Sequence, residues 1–189
     1  MATMEEQDGT TAPIPQKVTK IEGAERLLKT AILLFFEERD LLAIHGLVAG
    51  AHEVIYTLLA KNNQATSFIR NNDYIRPEYA REYHEHMNRP QNFLKHADRD
   101  PDGILDFYEK GTPMWIFDAI GMYAKLTGSL KHREFFLFFV WFSHEYPQLL
   151  KKGPLLDMVN KFNARHSVSK NTLAEIIRRP WLIDTPGFV

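Results

Sequence analysis

Apolar residues recur at helical spacing along most of the chain. In the first such segment, Ala24, Leu28, Ala31 and Phe35 follow alternating steps of four and three residues. This spacing places them on one face of an α-helix and is typical of an amphipathic helix that packs on a core. The pattern predicts a first helix over residues 18–38.

Residues that start and stop helices divide the remaining pattern. Asp40, Thr112 and Ser129 are candidate N-caps, because their side-chain oxygens can accept a hydrogen bond from the first helical turn. Pro90 lacks a backbone N–H, so we expect the helix to break or kink there and a further helix to begin at Pro90. The further helices predicted in this way cover residues 41–61, 77–88, 90–97, 113–128, 130–146, 154–164 and 169–178. Residues 103–110 are taken as an extended loop, since a single strand would have no partner.

These elements predict an all-α fold, a bundle of about six to eight helices. A chain of 189 residues is long enough for one domain with a sizeable core. Residues 1–16 are polar and rich in Pro and Thr, which predicts a disordered N-terminal tail before a single domain over 17–189. The segment FFLFFVWF, 135–142, is apolar on all sides and should form the most buried helix.

Composition narrows the classes of function. The chain has no cysteine, which excludes disulfides, thiolate metal sites and cysteine nucleophiles. Its formal net charge is −1, so the overall charge of the chain does not favour binding to nucleic acid. Contact with RNA would need a local patch of positive charge. We expect no DNA binding. The N-terminus lacks a signal-peptide pattern and segment 135–142 is too short to span a bilayer, so we expect a cytoplasmic protein without a membrane partner.

The most chemically suggestive segment is RPQNFLKH, residues 89–96. Steps of three and four residues place Arg89, Asn92 and His96 on one helix face. An arginine can bind a phosphate through two hydrogen bonds, and a histidine can move a proton at neutral pH. The other side of the segment carries apolar residues that are expected to anchor it in the core, namely Phe93, Leu94 and Ala97.

The pattern of Arg89, the intervening PQNFLK and His96 resembles the HEPN superfamily, helical bundles that carry an arginine and a histidine a short distance apart, often with a polar residue between them. Asn92 matches that polar residue. The resemblance implies metal-independent RNA cleavage or nucleotide-phosphate binding, without a cofactor. It also implies a homodimer with paired active sites. Arg89, Asn92 and His96 are then the predicted catalytic residues.

Two longer segments resemble an uncharacterised family of bacterial all-helical proteins. They are EERDLLAIHGLVAGAHEVI, residues 37–55, and RPQNFLKHADRDPD, residues 89–102. This resemblance implies the helical fold and brings no activity with it.

A structural role for the same residues is the first alternative. Arg89 could pair with Asp98 or Asp100, and His96 could bond a backbone carbonyl. Such a surface pair contributes only about 0–1 kcal/mol. The chain would then be a non-catalytic interaction or regulatory protein, dimeric through an aromatic-rich surface.

A histidine-based metal site is the second alternative. His45 and His52 lie on the inward face of the second predicted helix, about 10.5 Å apart along its axis, too far for both to hold one ion. Either could combine with His84, His86 or His96 from another helix, with Glu53 as an available carboxylate. A mixed version has His45 or His52 facing His96 and lining the same polar pocket.

Overall fold

The structure is a computed structural model that describes residues 15–71, 76–130, 132–166 and 168–179. These residues form α-helices, two short 3-10 turns and connecting loops, without a strand among them. The helices are α1 (Lys20–Phe36), α2 (Leu41–Lys61), α3 (Ala80–Lys95), α4 (Gly111–Thr127), α5 (Arg133–Glu145), α6 (Pro154–Asn163) and α7 (Lys170–Arg178). The predicted all-α bundle is confirmed. Residues 1–14 of the predicted tail lie outside the described residues.

Helix α2 lies at the centre of the bundle, between α1 and α4. Asp40 is its N-cap, as predicted, and the carboxylate accepts a hydrogen bond of 2.8 Å from the backbone N–H of Ala43. The inward stripe of α2 is buried, and it includes His45 and His52, which are 2% and 0% exposed. Among the described residues, α2 is also the helix whose length and composition would suffice to cross a membrane, a property that buried core helices share.

Helix α5 supplies much of the aromatic core. Its Phe135, Phe138 and Phe142 are fully buried, which confirms the expectation for the apolar segment. The ring of Phe142 stacks on Phe117 of α4 with 4.1 Å between the ring centroids. Stacked and edge-to-face ring pairs of this kind contribute about 0.5–1.5 kcal/mol beyond the area they bury.

Two of the predicted N-caps are wrong. Helix α4 begins at Gly111 with Lys110 as its N-cap, and the Thr112 hydroxyl lies in the core beside His45. Helix α5 begins at Arg133, so Ser129 lies outside it and is not its cap. Gly128 ends α4 with a φ of 70°, a left-handed conformation that glycine adopts without steric cost.

The predicted break at Pro90 is also wrong. Helix α3 continues from Ala80 through Pro90 to Lys95. A proline inside a helix removes its own N–H, the one that would donate to the carbonyl of His86, and the helix bonds on either side continue. Arg89 therefore lies inside one long helix and not at a junction between two.

Candidate functional site

The helix face that carries the predicted catalytic residues lines a pocket. The pocket has a volume of about 580 Å³ and lies between α3 and the segment that follows it. Arg89, Asn92 and His96 all line this pocket. It is also lined by Glu82, Glu85, His86, Phe93, Arg99, Asp100, Ile104 and Leu105. The structure thus brings the three predicted residues to a single concave surface.

The continuous helix fixes the spacing of these side chains. Arg89 and His96 are separated along the α3 axis by about 10.5 Å, with Asn92 between them. His96 is the C-cap, and its backbone N–H donates to the carbonyl of Asn92 at 3.0 Å. The carbonyl of His96 accepts from the N–H of Arg99 at 2.9 Å, and the turn so formed returns Arg99 to the pocket.

Arg89 has a weak ionic partner. Its guanidinium lies 4.0 Å from the carboxylate of Asp106, and the two side chains are 52% and 77% exposed. The sequence suggested Asp98 or Asp100 as the partner, and the structure places Asp106 there instead. An exposed pair at this distance contributes at most about 1 kcal/mol, so an anionic ligand can compete for Arg89.

The charges of the pocket are not evenly spread. Glu82 and Glu85 come from the N-terminal half of α3, and Glu85 lies 3.8 Å from the guanidinium of Arg81. The C-terminal half of the helix and the turn after it contribute two arginines, Arg89 and Arg99, against one carboxylate, Asp100, together with His96. A phosphate would therefore be held at the C-terminal half, away from the two glutamates.

Sequence reasoning missed two residues of this pocket, His86 and Arg99. His86 lies three residues before Arg89, so it belongs to the same face of a continuous helix. The three-residue step from His86 to Arg89 is visible in the sequence. The predicted break at Pro90, however, placed His86 on a separate helix. Arg99 reaches the pocket through the turn after α3, and its position has no local signal in the sequence.

The apolar side of the segment anchors α3 only in part, through Leu94, whose Cδ1 lies close to Gly46 of α2. Phe93 lines the pocket, and Leu94 is 47% exposed. Ala97 is exposed beyond the end of the helix. The side that meets the bundle contains buried Gln91 and partly buried Met87. Helix α3 is therefore a peripheral helix with a mostly polar surface.

The two inward histidines lie elsewhere, between α2 and α4. The Nε2 atom of His52 is 2.8 Å from the carboxylate of Asp118, and the Ser67 hydroxyl donates to the same carboxylate oxygen at 2.5 Å. The backbone N–H of Phe68 donates to the other oxygen at 3.2 Å. All three side chains are at least 94% buried. The network ties the loop after α2 to α4.

This serine, histidine and aspartate do not form a catalytic triad. In a triad the aspartate and the nucleophile lie on opposite nitrogens of the imidazole. Here Asp118 and Ser67 both lie near Nε2 of His52, at 2.8 and 3.4 Å, and they bond each other. Sequence reasoning missed Asp118, although a single acid inside the apolar segment IFDAIGM signals a buried group that needs partners.

His45 lies about two turns before His52 on the same buried stripe of α2. Its Nδ1 is 3.3 Å from the Thr112 hydroxyl, and its ring lies against Trp115 with 5.2 Å between centroids. Burial, with a smaller contribution from the nearby His52, lowers the pKa of His45 to about 4. His45 is therefore neutral at pH 7, and it does not share the large pocket with His96.

The candidate metal ligands do not converge. Glu53 forms an ion pair with Arg70, and His84 lies against the ring of Tyr83 on α3. Within the residues that the structure describes, no three histidine or carboxylate side chains are grouped so as to hold a metal ion. His45 and His52 instead bond the hydroxyl and carboxylate groups of α4 and the loop after α2.

Comparison of this chain with protein-family models, with curated proteins and with solved structures finds no match.

Proposed function

We propose that the α3 pocket binds the phosphate of RNA or of a nucleotide, and that it cleaves RNA without a metal ion. One observation carries the proposal: Arg89, Asn92 and His96 line the same open pocket of about 580 Å³. A pocket of this size lies in the range of ordinary small-ligand sites.

The roles follow from the chemistry of each side chain. Arg89 donates two hydrogen bonds to the oxygens of a phosphodiester, and its weak pair with Asp106 is displaced or reoriented. Asn92, one helical turn further, donates its amide to the ribose or phosphate. His96, at the end of the helix, acts on a proton.

The reaction needs no group beyond these residues and water. His96 removes the proton of the ribose 2′-hydroxyl, and the 2′ oxygen forms a bond to phosphorus. The bond from phosphorus to the 5′ oxygen breaks, and that oxygen takes a proton from water. The products are a 2′,3′-cyclic phosphate and a free 5′-hydroxyl, while His96 returns its proton to solvent. Arg89 stabilises the negative charge that develops on the phosphorus oxygens.

The test is cleavage of labelled single-stranded RNA by the full chain in EDTA. We expect a cyclic-phosphate product from the wild type and a loss of about 100-fold or more in rate for His96→Ala, the usual contribution of a general acid or base. His84→Ala is the matched control, because His84 is on the same helix and lines neither this pocket nor its neighbour. Its rate should equal that of the wild type.

Equal cleavage by the wild type and His96→Ala would overturn the catalytic role, and so would cleavage by neither. In the second case, RNA binding that is lost in Arg89→Gln would leave the pocket as a phosphate-binding site. Absence of both cleavage and binding would leave the non-catalytic interaction protein as the remaining alternative.

A further inference from the structure

We infer that a narrow cleft beside the α3 pocket, formed by α2, α3, α4 and the loop before α4, receives the edge of a nucleobase. The cleft is lined by His45, Phe107, Tyr108 and Trp115, together with His86 and Arg89. His86 and Arg89 also line the large pocket, so the two spaces adjoin. The inference deepens the proposed function, because it names the part of the ligand that lies beyond the phosphate.

The walls of the cleft suit a flat ring. The ring of His45 lies edge-on to Phe107, with 5.8 Å between centroids, and to Trp115, with 5.2 Å. Tyr108 is 66% exposed at the mouth, where its ring contacts His86 at 5.6 Å. Aromatic walls around a small number of polar atoms are typical of sites that bind bases by stacking and read their edges by hydrogen bonds.

The buried polar group in this cleft is His45, and the other polar side chains that line it are His86, Arg89 and Asp106. His45 is 2% exposed, and its Nε2 atom has no hydrogen-bond partner among the described residues. A buried polar atom without a partner costs about 1–3 kcal/mol of stability, so a ligand group that enters the cleft and bonds Nε2 would recover that cost. The low pKa of His45 keeps the ring neutral at pH 7. A neutral imidazole can accept from an N–H or, in its other tautomer, donate to a carbonyl.

Size and position then restrict the ligand. The cleft has a volume of about 50 Å³, that of one or two water molecules. It therefore admits a ring edge with its exocyclic group, while the rest of the base lies at the mouth against Tyr108. Arg89 is positioned between the two spaces, so a base in the cleft and a phosphate in the pocket can belong to one nucleotide.

The experiment is a titration of the full chain, labelled with ¹⁵N-histidine, monitored by NMR of the imidazole signals near pH 7. The probes are uridine and adenosine, which lack a phosphate, and inorganic phosphate, which lacks a base. The signals of His45 are identified by their loss in His45→Phe. We expect at least one nucleoside to shift the His45 signals saturably, and phosphate to shift those of His96.

Variants of His45 separate nucleoside binding in the cleft from phosphate binding in the α3 pocket. His45→Phe keeps a ring in the core and removes Nε2, so nucleoside affinity should fall about tenfold, the contribution of one buried hydrogen bond. His45→Gln keeps a hydrogen-bonding group and should recover part of that loss. Phosphate affinity should change by less than about twofold in both, and His84→Phe should leave every affinity unchanged. The unshifted histidine signals of each variant report that it is folded.

Each result decides between the two proposals. If phosphate binds but neither nucleoside shifts the His45 signals, the base cleft is overturned and the phosphate site stands. If a nucleoside binds through His45 but phosphate does not bind, the cleft stands and the proposed function fails. If neither probe binds, both fail. Nucleoside binding that His45→Phe leaves intact also overturns the cleft.

Discussion

Two regions of this molecule place a histidine among polar side chains, one inside the core and one at the surface. His52 is fully buried, and its Nε2 lies within 2.8 Å of Asp118 and 3.4 Å of Ser67. His96 lies at the end of a peripheral helix and lines an open pocket with Arg89, whose ionic partner is 4.0 Å away. The buried region has closely spaced partners, and the peripheral one has loosely held groups that a ligand can reach.

The difference shows why residue type alone does not identify a site. A serine, a histidine and an aspartate in contact suggest catalysis, but here the three side chains bond one another inside the core, where no substrate can reach them. Closely paired buried groups stabilise a particular packing, because removing one leaves the others without partners. Exposed groups with weak partners contribute little to stability and remain available for binding.

The largest effect should come from the buried region. Asp118→Ala removes the acceptor of His52, of Ser67 and of the Phe68 N–H, and should lower the free energy of unfolding by about 3–5 kcal/mol. Asp118→Asn keeps part of the hydrogen-bond network and should lower the free energy of unfolding by less. Urea denaturation measures both changes.

The control for this prediction is Asp106→Ala on the exposed side. Asp106 is 77% exposed, so its removal should change the unfolding free energy by no more than about 0.5 kcal/mol. If Asp118→Ala is as stable as Asp106→Ala, the buried network does not hold the loop after α2 to α4, and the comparison between the two regions fails.

A smaller effect should appear as a dependence of stability on pH. Burial lowers the pKa of His45 from 6.5 to about 4, so in this interval the unfolded chain binds the proton that the folded chain excludes. The free energy of unfolding therefore falls as the pH drops from 6.5 toward 4, by up to about 3 kcal/mol, and the full stability is present above pH 6.5.

Urea denaturation near pH 7 and near pH 4.5 checks this dependence. His45→Phe should lose the part of the pH slope that His45 contributes, whereas His84→Phe should retain it. An identical slope in the wild type and in His45→Phe would show that His45 takes up its proton in the folded state as readily as in the unfolded chain.

The fold could be predicted largely from local sequence, because the period of the apolar positions reports which face each helix buries. The stripe of α2, with His45 and His52 inside it, is an example. Boundaries were predicted less well, since they depend on tertiary contacts. Thr112 looks like an N-cap, but its hydroxyl lies beside His45 in the core. Pro90 looks like a break, but the helix bonds on both sides of it continue.

The site was predicted only in part for a related reason. Arg89, Asn92 and His96 share a helix face, and helical spacing is visible in sequence. Asp106 and Arg99 reach the same region through the loop after α3. A loop has no repeating pattern of apolar positions, so its course cannot be predicted from the sequence. The small cleft depends on Phe107 and Trp115 meeting His45 from distant positions in the chain, which sequence spacing cannot show.

The smallest effect on stability should come from the α3 face, where the effect on binding should be large. Arg89→Gln should change the unfolding free energy by no more than about 0.5 kcal/mol, because its pair with Asp106 is long and exposed. Arg81→Gln is the matched control, a 91% exposed arginine on the same helix that lines neither the pocket nor the cleft.

The most direct measurement is the affinity of the wild type, Arg89→Gln and Arg81→Gln for a short 2′-O-methylated single-stranded RNA in EDTA, by fluorescence anisotropy. This RNA has no 2′-hydroxyl to attack, so binding is measured apart from cleavage. We expect Arg89→Gln to weaken binding by about tenfold or more, the loss of a charge-assisted contact to phosphate, and Arg81→Gln to bind like the wild type. Equal affinity of all three proteins, or no binding by any, would contradict the account.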